Sequence, residues 1–228
     1  MSLFNVANIT CAKCGHVYTM DVVGSVNADR RPDLREDILA DRFQDSECPE
    51  CKNRFRMEPL FSYADVGRNQ WIACMPARDM ARYRAGEASA KALFERSYGP
   101  GAPKAAREVG ETLMPRVTFG WPAVREKLLI RELDLDDVVV EEVKLDLMRR
   151  IPRAPMQAGI EIRLIGMDDD RMRFQWLGSE DESIKAEVSI GKELYDVIAG
   201  NPDEWKEVRE LLTDGYFIDM QKMYMDGA

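Results

Sequence analysis

Two periodicities divide this chain, one of two residues and one near 3.6, and they alternate along its length. Residues 17–23, Val17-Tyr18-Thr19-Met20-Asp21-Val22-Val23, predict a short strand. Pro32 then opens a helix, with Leu34, Ile38, Leu39 and Phe43 along one face. Phe55 and Met57 alternate with Arg54, Arg56 and Glu58, which is a strand pattern. The apolar run Trp71-Ile72-Ala73-Cys74-Met75, stopped by Pro76, predicts another strand. Over residues 79–98, Met80, Tyr83, Ala90, Leu93, Phe94 and Tyr98 make a helical stripe. The sharpest break is Gly99-Pro100-Gly101-Ala102-Pro103, and a short helix is expected over 103–110.

Past Pro115 the texture changes. Trp121, Val124 and Leu128 mark a helix from about Pro122, and a second helix is expected over 134–149, against the β preference of Val138-Val139-Val140. Residues 159–166, 171–177 and 184–190 read as strands, with Asp168-Asp169-Asp170 turning between the first two. Two amphipathic helices follow. Leu194, Val197 and Ile198 define the first. The second is expected to take Asn201 as cap, Pro202 at its first position and Glu204 as the other half of a capping box, burying Trp205, Val208, Leu211 and Leu212. The class is therefore α+β, without internal repeats. The expected division is an N-terminal domain over 1–98, a linker over 99–104 and an acidic α+β domain over 105–228.

With 228 residues, 45% hydrophobic and 32% charged, the chain has the make-up of a globular protein with a sizeable core. No apolar run approaches the roughly 18 residues of a membrane helix, and the opening residues lack a leader pattern. The net charge of −9 is unevenly spread, +4 over residues 71–130 and −11 over 131–228. These complementary halves suggest that the basic helix of 79–98 docks on the acidic part, and they leave self-association open. The same net charge disfavours nucleic acid as a partner.

Chemistry concentrates in the cysteines. Cys11-Ala12-Lys13-Cys14 and Cys48-Pro49-Glu50-Cys51 are two Cys-x-x-Cys knuckles separated by 33 residues. In a reducing, cytoplasmic setting such pairs serve as metal ligands more readily than as disulfides. Two residues between cysteines let a tight turn aim both sulfurs at one ion, and two such turns close a tetrahedral thiolate site. Four soft thiolates select zinc, with iron as second choice. The spacing exceeds the commonest gap of about 15–20 residues, and the helix from Pro32 accounts for the extra length. Tyr18 and Phe55, one after each knuckle, are placed to pack the two hairpins together. The metal ligands are thus expected to be Cys11, Cys14, Cys48 and Cys51, holding a structural Zn2+ in a ribbon. A redox dithiol is the competing reading of Cys48-Pro49-Glu50-Cys51, but a redox motif normally stands alone at a helix start.

These knuckles and their flanks resemble the CpXC family. The resemblance rests on Cys11-x-x-Cys14-Gly15, the insert carrying Pro32-Asp33-Leu34, Cys48-Pro49-Glu50-Cys51, and Pro59-Leu60-Phe61-Ser62-Tyr63-Ala64-Asp65. It extends through Phe119-Gly120-Trp121-Pro122 and the stretch to Ile130, then Leu135-Asp136-Asp137-Val138, and covers about the first 150 residues. The first pair has Ala12 where Cys48 is followed by Pro49, a departure that leaves ligation intact. The resemblance implies a bacterial protein with a zinc-binding ribbon, and it supplies no activity.

Other groups carry less. His16, the sole histidine, lies too close to Cys14 for joint ligation, and a single histidine excludes a His-Glu-x-x-His site. Cys74 reads as a buried structural thiol. Asp168-Asp169-Asp170 and Glu180-Asp181-Glu182 lack calcium-loop spacing and read as acidic turns. No phosphate-binding glycine motif is present. Met220, Met223 and Met225, beside Tyr216, Phe217 and Tyr224, either dock a partner or close the core. The function these features favour is a zinc-binding protein-interaction module and not an enzyme. The alternatives are a nucleic-acid-binding ribbon and an enzyme using carboxylates of the C-terminal domain.

Overall fold

In the computed structural model, residues 2–151, 155, 159–179 and 181–225 are described. Strands β1 (Leu3–Thr10) and β2 (Val17–Asn27) form an antiparallel hairpin. Helix α1 (Pro32–Leu39) follows, then a second, short hairpin of β3 (Asp45–Glu47) and β4 (Arg54–Arg56). Strands β5 (Phe61–Asp65) and β6 (Gln70–Met75) lead to α2 (Tyr83–Tyr98), α3 (Lys104–Gly110) and β7 (Met114–Phe119). The first sheet has the order β1-β2-β5-β6-β7. Only Ser25–Asn27 of β2 pair with β5, so most of the first hairpin projects past the sheet as a two-stranded arm.

Both faces of this sheet are covered at β6, which is why that strand is apolar from Trp71 to Met75. Ile72 and Cys74 face Leu34 and Ile38 of α1 together with Phe43, Trp121 and Val124. Trp71 and Ala73 face Tyr83 and Ala90 of α2 with Phe119 and Phe217. Sequence pattern does not reveal β1, β5 or β7. Asn5 and Asn8 interrupt β1, β5 has five residues, and Pro115 sits inside β7, where a proline argues against a strand.

Helices α4 (Trp121–Glu132) and α5 (Asp137–Arg150) join this unit to an antiparallel meander of β8 (Ile160–Asp168), β9 (Arg171–Gly178) and β10 (Ile184–Gly191). On one face of the meander, Leu164, Phe174 and Trp176 pack with Val140 and Val143 of α5. Ile198 of α6 (Glu193–Gly200) and Trp205 join them, and α7 (Lys206–Thr213) and α8 (Gln221–Met225) complete the chain. The class is α+β, as the patterns predict. The β-prone valines lie inside α5, where burial on every side suits them and the Asp136 carboxylate accepts the Val138 N–H at 2.8 Å as an N-cap. Asn201 departs from expectation. Its side-chain amide donates to the Val197 carbonyl at 2.7 Å, Pro202–Trp205 form a 3-10 turn, and α7 starts only at Lys206.

The segment expected as a linker is a tight turn between α2 and α3, with Gly99 N–H donating to Glu95 O at 2.8 Å and Ala102 N–H to Gly99 O at 2.9 Å. The first sheet runs across it, because β7 pairs in parallel with β6, and α4 packs in the core of that sheet. A break in helical pattern marks a turn and says nothing about which sheet the next strand joins. The docking of 79–98 on the C-terminal part also rests on other residues than expected. Phe217 packs against Tyr83 and Phe119, with ring centroids 5.0 and 5.2 Å apart. Glu87 of α2, an acidic residue, accepts the Tyr216 and Phe217 backbone N–H groups, the latter at 2.7 Å. Phe217 and Met220 are buried and close the core, while Tyr224 is exposed.

Charges also lie within the core. Lys144 contacts Glu126 at 2.7 Å and Glu141 at 3.0 Å, and Arg163 contacts Glu126 at 2.9 Å, Asp219 at 2.6 Å and also Glu161. Lys127 pairs with Asp137 at 3.0 Å, and Arg116 closes on the same carboxylate at 2.7 Å. The cluster ties α4, α5, β8 and the 219–220 segment together. The alternation Glu161-Ile162-Arg163-Leu164 predicts a half-exposed strand, yet these four residues are buried, because α4 covers the second face. Among the described residues no helix is long and apolar enough to cross a membrane.

Candidate metal centre

Each cysteine pair occupies a hairpin tip, and the two tips are built alike. Between β1 and β2, Cys11 N–H donates to His16 O and Gly15 N–H to Cys11 O, both at 2.9 Å. Between β3 and β4, Cys48 N–H donates to Asn53 O at 2.9 Å and Lys52 N–H to Cys48 O at 3.0 Å. The fourth residue after the leading cysteine is left-handed in each tip, Gly15 at φ +74° and Lys52 at φ +59°. Glycine adopts this backbone freely, whereas a side-chain-bearing residue does so at a cost. A Cβ at Gly15 would meet nothing within 4 Å, so strain there is backbone strain alone. Gly15→Val should therefore lower stability by about 1–2 kcal/mol, and Lys52→Gly should raise it slightly, as thermal unfolding of the metal-loaded proteins would measure.

The tips face one another. Cys11 Sγ lies 3.6 Å from Cys51 Sγ, and Cys14 Sγ lies 3.7 Å from Cys48 Sγ. All four sulfurs lie within 4.8 Å of one another. A tetrahedral ion with thiolates at about 2.3 Å sets its sulfurs about 3.8 Å apart. A disulfide needs about 2.05 Å, and all four cysteines are free. The donor chemistry and the spacing both fit one shared cation. Both hairpins contribute two sulfurs to one group, so the arrangement is that of a cluster and not of a lone dithiol.

Cys11 and Cys48 are buried, Cys51 is half-buried and Cys14 is exposed. The Cys14 and Lys13 backbone amides point at Cys11 and lower its thiol to about 6. At Cys14 the His16 amide acts in the same direction, but desolvation and the shared protons of Cys51, Cys11 and Cys48 push it up to about 12. One thiol thus ionises readily while a neighbour holds its proton, and a divalent cation releases what remains. Because all four positions around the ion would be protein sulfur, a cation here would hold structure and leave no open position for water.

The supporting residues match the sequence reading. The Tyr18 and Phe55 rings meet edge to face at 6.5 Å across the two hairpins, and the Tyr18 hydroxyl lies 3.2 Å from Ser46 Oγ. His16 is exposed, stacks on Tyr18 at 6.3 Å, and stands outside the four-sulfur group. Cys74 lies buried in β6, where burial pushes its thiol well above the usual range, and it too is outside the group. The acidic turns are spent on structure. Asp168 pairs with Arg173 at 2.8 Å, Asp181 accepts the Ser183 N–H at 3.0 Å, and Glu182 pairs with Arg125 at 2.7 Å. Glu180 lies outside the described residues. Sequence reasoning missed the buried charge cluster. Its one signal was charged residues, Glu126 and Glu141 among them, inside otherwise apolar helical stretches.

The model of the CpXC protein family matches residues 9–144, which span both knuckles, the first sheet apart from most of β1, and most of α5. No curated protein and no solved structure matches the chain.

Proposed function

The chain belongs to the CpXC protein family, and on that premise we propose that it is a zinc-binding protein of a reducing, cytoplasmic compartment, in which a structural zinc ribbon serves as a protein-interaction module. The observation that carries this reading is the four-sulfur cluster between two like-built hairpins. Cys11, Cys14, Cys48 and Cys51 would hold the ion, and zinc suits four thiolates better than harder cations do. The ion would supply rigidity, fixing the arm of β1 and β2 against the β3–β4 hairpin.

The interaction role draws support from the closed ligand set, which favours structure over catalysis. The charge of −9 opposes polyphosphate as the partner. Metal analysis of protein purified without added metal tests the reading, and one zinc per chain is the expected result. Bound iron or no metal would count against it. A steeply salt-dependent affinity for duplex DNA would move the interaction role to nucleic acid.

A further inference from the structure

Helix α4 packs in more than one direction. Trp121, Val124 and Leu128 enter the core under the first sheet, while Glu126 and Lys127 join the buried charge cluster. A further face, Pro122, Arg125, Leu129 and Glu132 at helical spacing, borders a cavity of about 320 Å³. Leu39 at the end of α1 lines it too, and Ile165 of β8 and Leu177 of β9 line it from the meander. The cavity thus lies on the seam between the first sheet's unit and the meander. Its wall is chiefly apolar, and its volume is that of a small ligand pocket. The strands β8 and β9 lie beyond residues 9–144, so part of that wall is outside the family match.

Charge decides what fits. Among the described residues, each ionised group around the cavity already has a counter-ion. Arg125 pairs with Glu182 at 2.7 Å and with Asp41, and Glu132 pairs with Arg35 at 2.8 Å. Arg163 has Glu126 at 2.9 Å, Asp219 at 2.6 Å and Glu161. A charged ligand would bring in an ion with nothing left to neutralise it, and burial penalises that heavily. One polar demand remains. Arg163 lines the cavity and is 1% exposed, and its buried Nε has no acceptor among the described residues. A buried donor left unmet is costly, and a neutral acceptor meets it without adding charge.

We propose that this cavity binds a neutral, largely apolar molecule whose one hydrogen-bond acceptor, a carbonyl or ether oxygen, faces Arg163. Its size is roughly ten non-hydrogen atoms, at about 30 Å³ for each. The site takes no residue from the four-cysteine group, and it stands or falls separately from the metal reading.

Three small probes of one shape, added to the full chain, test the proposal. Acetophenone carries a carbonyl, α-methylstyrene has CH2 in place of that oxygen, and benzoate has a charged oxygen in place of the methyl group. The amide signals of Ile165 and Leu177 report binding by NMR. Acetophenone should saturate them with a dissociation constant at or below about 1 mM, an ordinary value for so small a ligand. At equal submillimolar concentration, α-methylstyrene should move these amides about threefold less and benzoate about tenfold less. Leu129→Trp should fill the cavity from α4 and abolish the saturation. Ile165→Phe should do the same from the opposite wall, and hydrogen-exchange protection of β8 and β9 identifies which variant has kept its fold. Shifts that stay linear with acetophenone concentration would overturn the site, as would saturation unchanged in a folded variant. Equal responses to acetophenone and α-methylstyrene would overturn the role of Arg163, and a stronger response to benzoate would overturn the assignment of a neutral ligand.

Discussion

Cys48→Ser should strip most of the zinc from the protein and unfold the two hairpin tips while the rest of the chain stays folded. Cys48 is fully buried at the meeting of the tips, and its loss leaves three sulfurs for an ion that needs four. The tips have little else to hold them, since β3 and β4 have three residues each and most of the β1–β2 arm lies beyond the pairing with β5. Zinc contributes on the order of 10 kcal/mol to the folding of such small modules, far more than one aromatic contact. Hydrogen exchange should lose protection over residues 10–22 and 45–57. Protection should survive in α1, because Leu34 and Ile38 belong to the core under the first sheet, and in β6, β8 and β9. Cys74→Ser should keep the metal. Full zinc retention in Cys48→Ser would refute the ligand set, and loss of protection everywhere together would make the chain one cooperative unit.

Lys144→Ala should be among the most damaging single changes away from the metal centre, costing about 3–5 kcal/mol of stability, as denaturant unfolding would measure. The lysine is fully buried, and its removal leaves Glu126 with Arg163 alone and Glu141 with only the more distant Lys127, at 3.4 Å. Lys144→Met should cost nearly as much, since shape is kept but the stranded charges remain. Adding Glu141→Gln to Lys144→Met should recover part of the loss, because it removes one of those charges. The same cluster sets the acid limit. Burial acts to raise Asp137, Glu126 and Asp219, but Lys127 beside Asp137, Lys144 beside Glu126 and Arg163 beside Asp219 outweigh it and hold all three below the usual carboxylate range. A depressed folded-state value means stability that is present above the unfolded value and lost as pH falls. Acid unfolding should therefore set in below about pH 4. Glu141 and Glu161 shift upward, chiefly by burial, so they take up protons earlier and soften the onset. A stability that rises as pH falls through this range would contradict the assignment.

Local patterns in the sequence determined the four-cysteine group and most helices. The Cys-x-x-Cys spacing reports a turn, and a turn is made by neighbouring residues, so both knuckles were legible without any knowledge of the fold. The aromatic residues that follow them, Tyr18 and Phe55, were legible for the same reason. The stripes of α1, α2 and α4 and the alternation in β9 and β10 likewise depend on periodicity along one element. What only the tertiary structure decided depends on which elements meet. That β7 crosses the turn at 99–103 to join the first sheet follows from the cores on either side of that sheet, and no local pattern encodes it. The charged face of Glu161 and Arg163 looks solvent-facing in the strand alone and is buried because α4, distant in sequence, brings Glu126 over it. The attraction read from net charges, +4 against −11, runs through Arg116 and Lys127 to Asp137 and through Arg125 to Glu182, whereas the helix of 79–98 docks through Tyr83 and Phe217, sealed by Glu87, because a summed charge does not say which side chains touch. The protein's local chemistry is written in neighbouring residues, and its connections come from packing between distant ones.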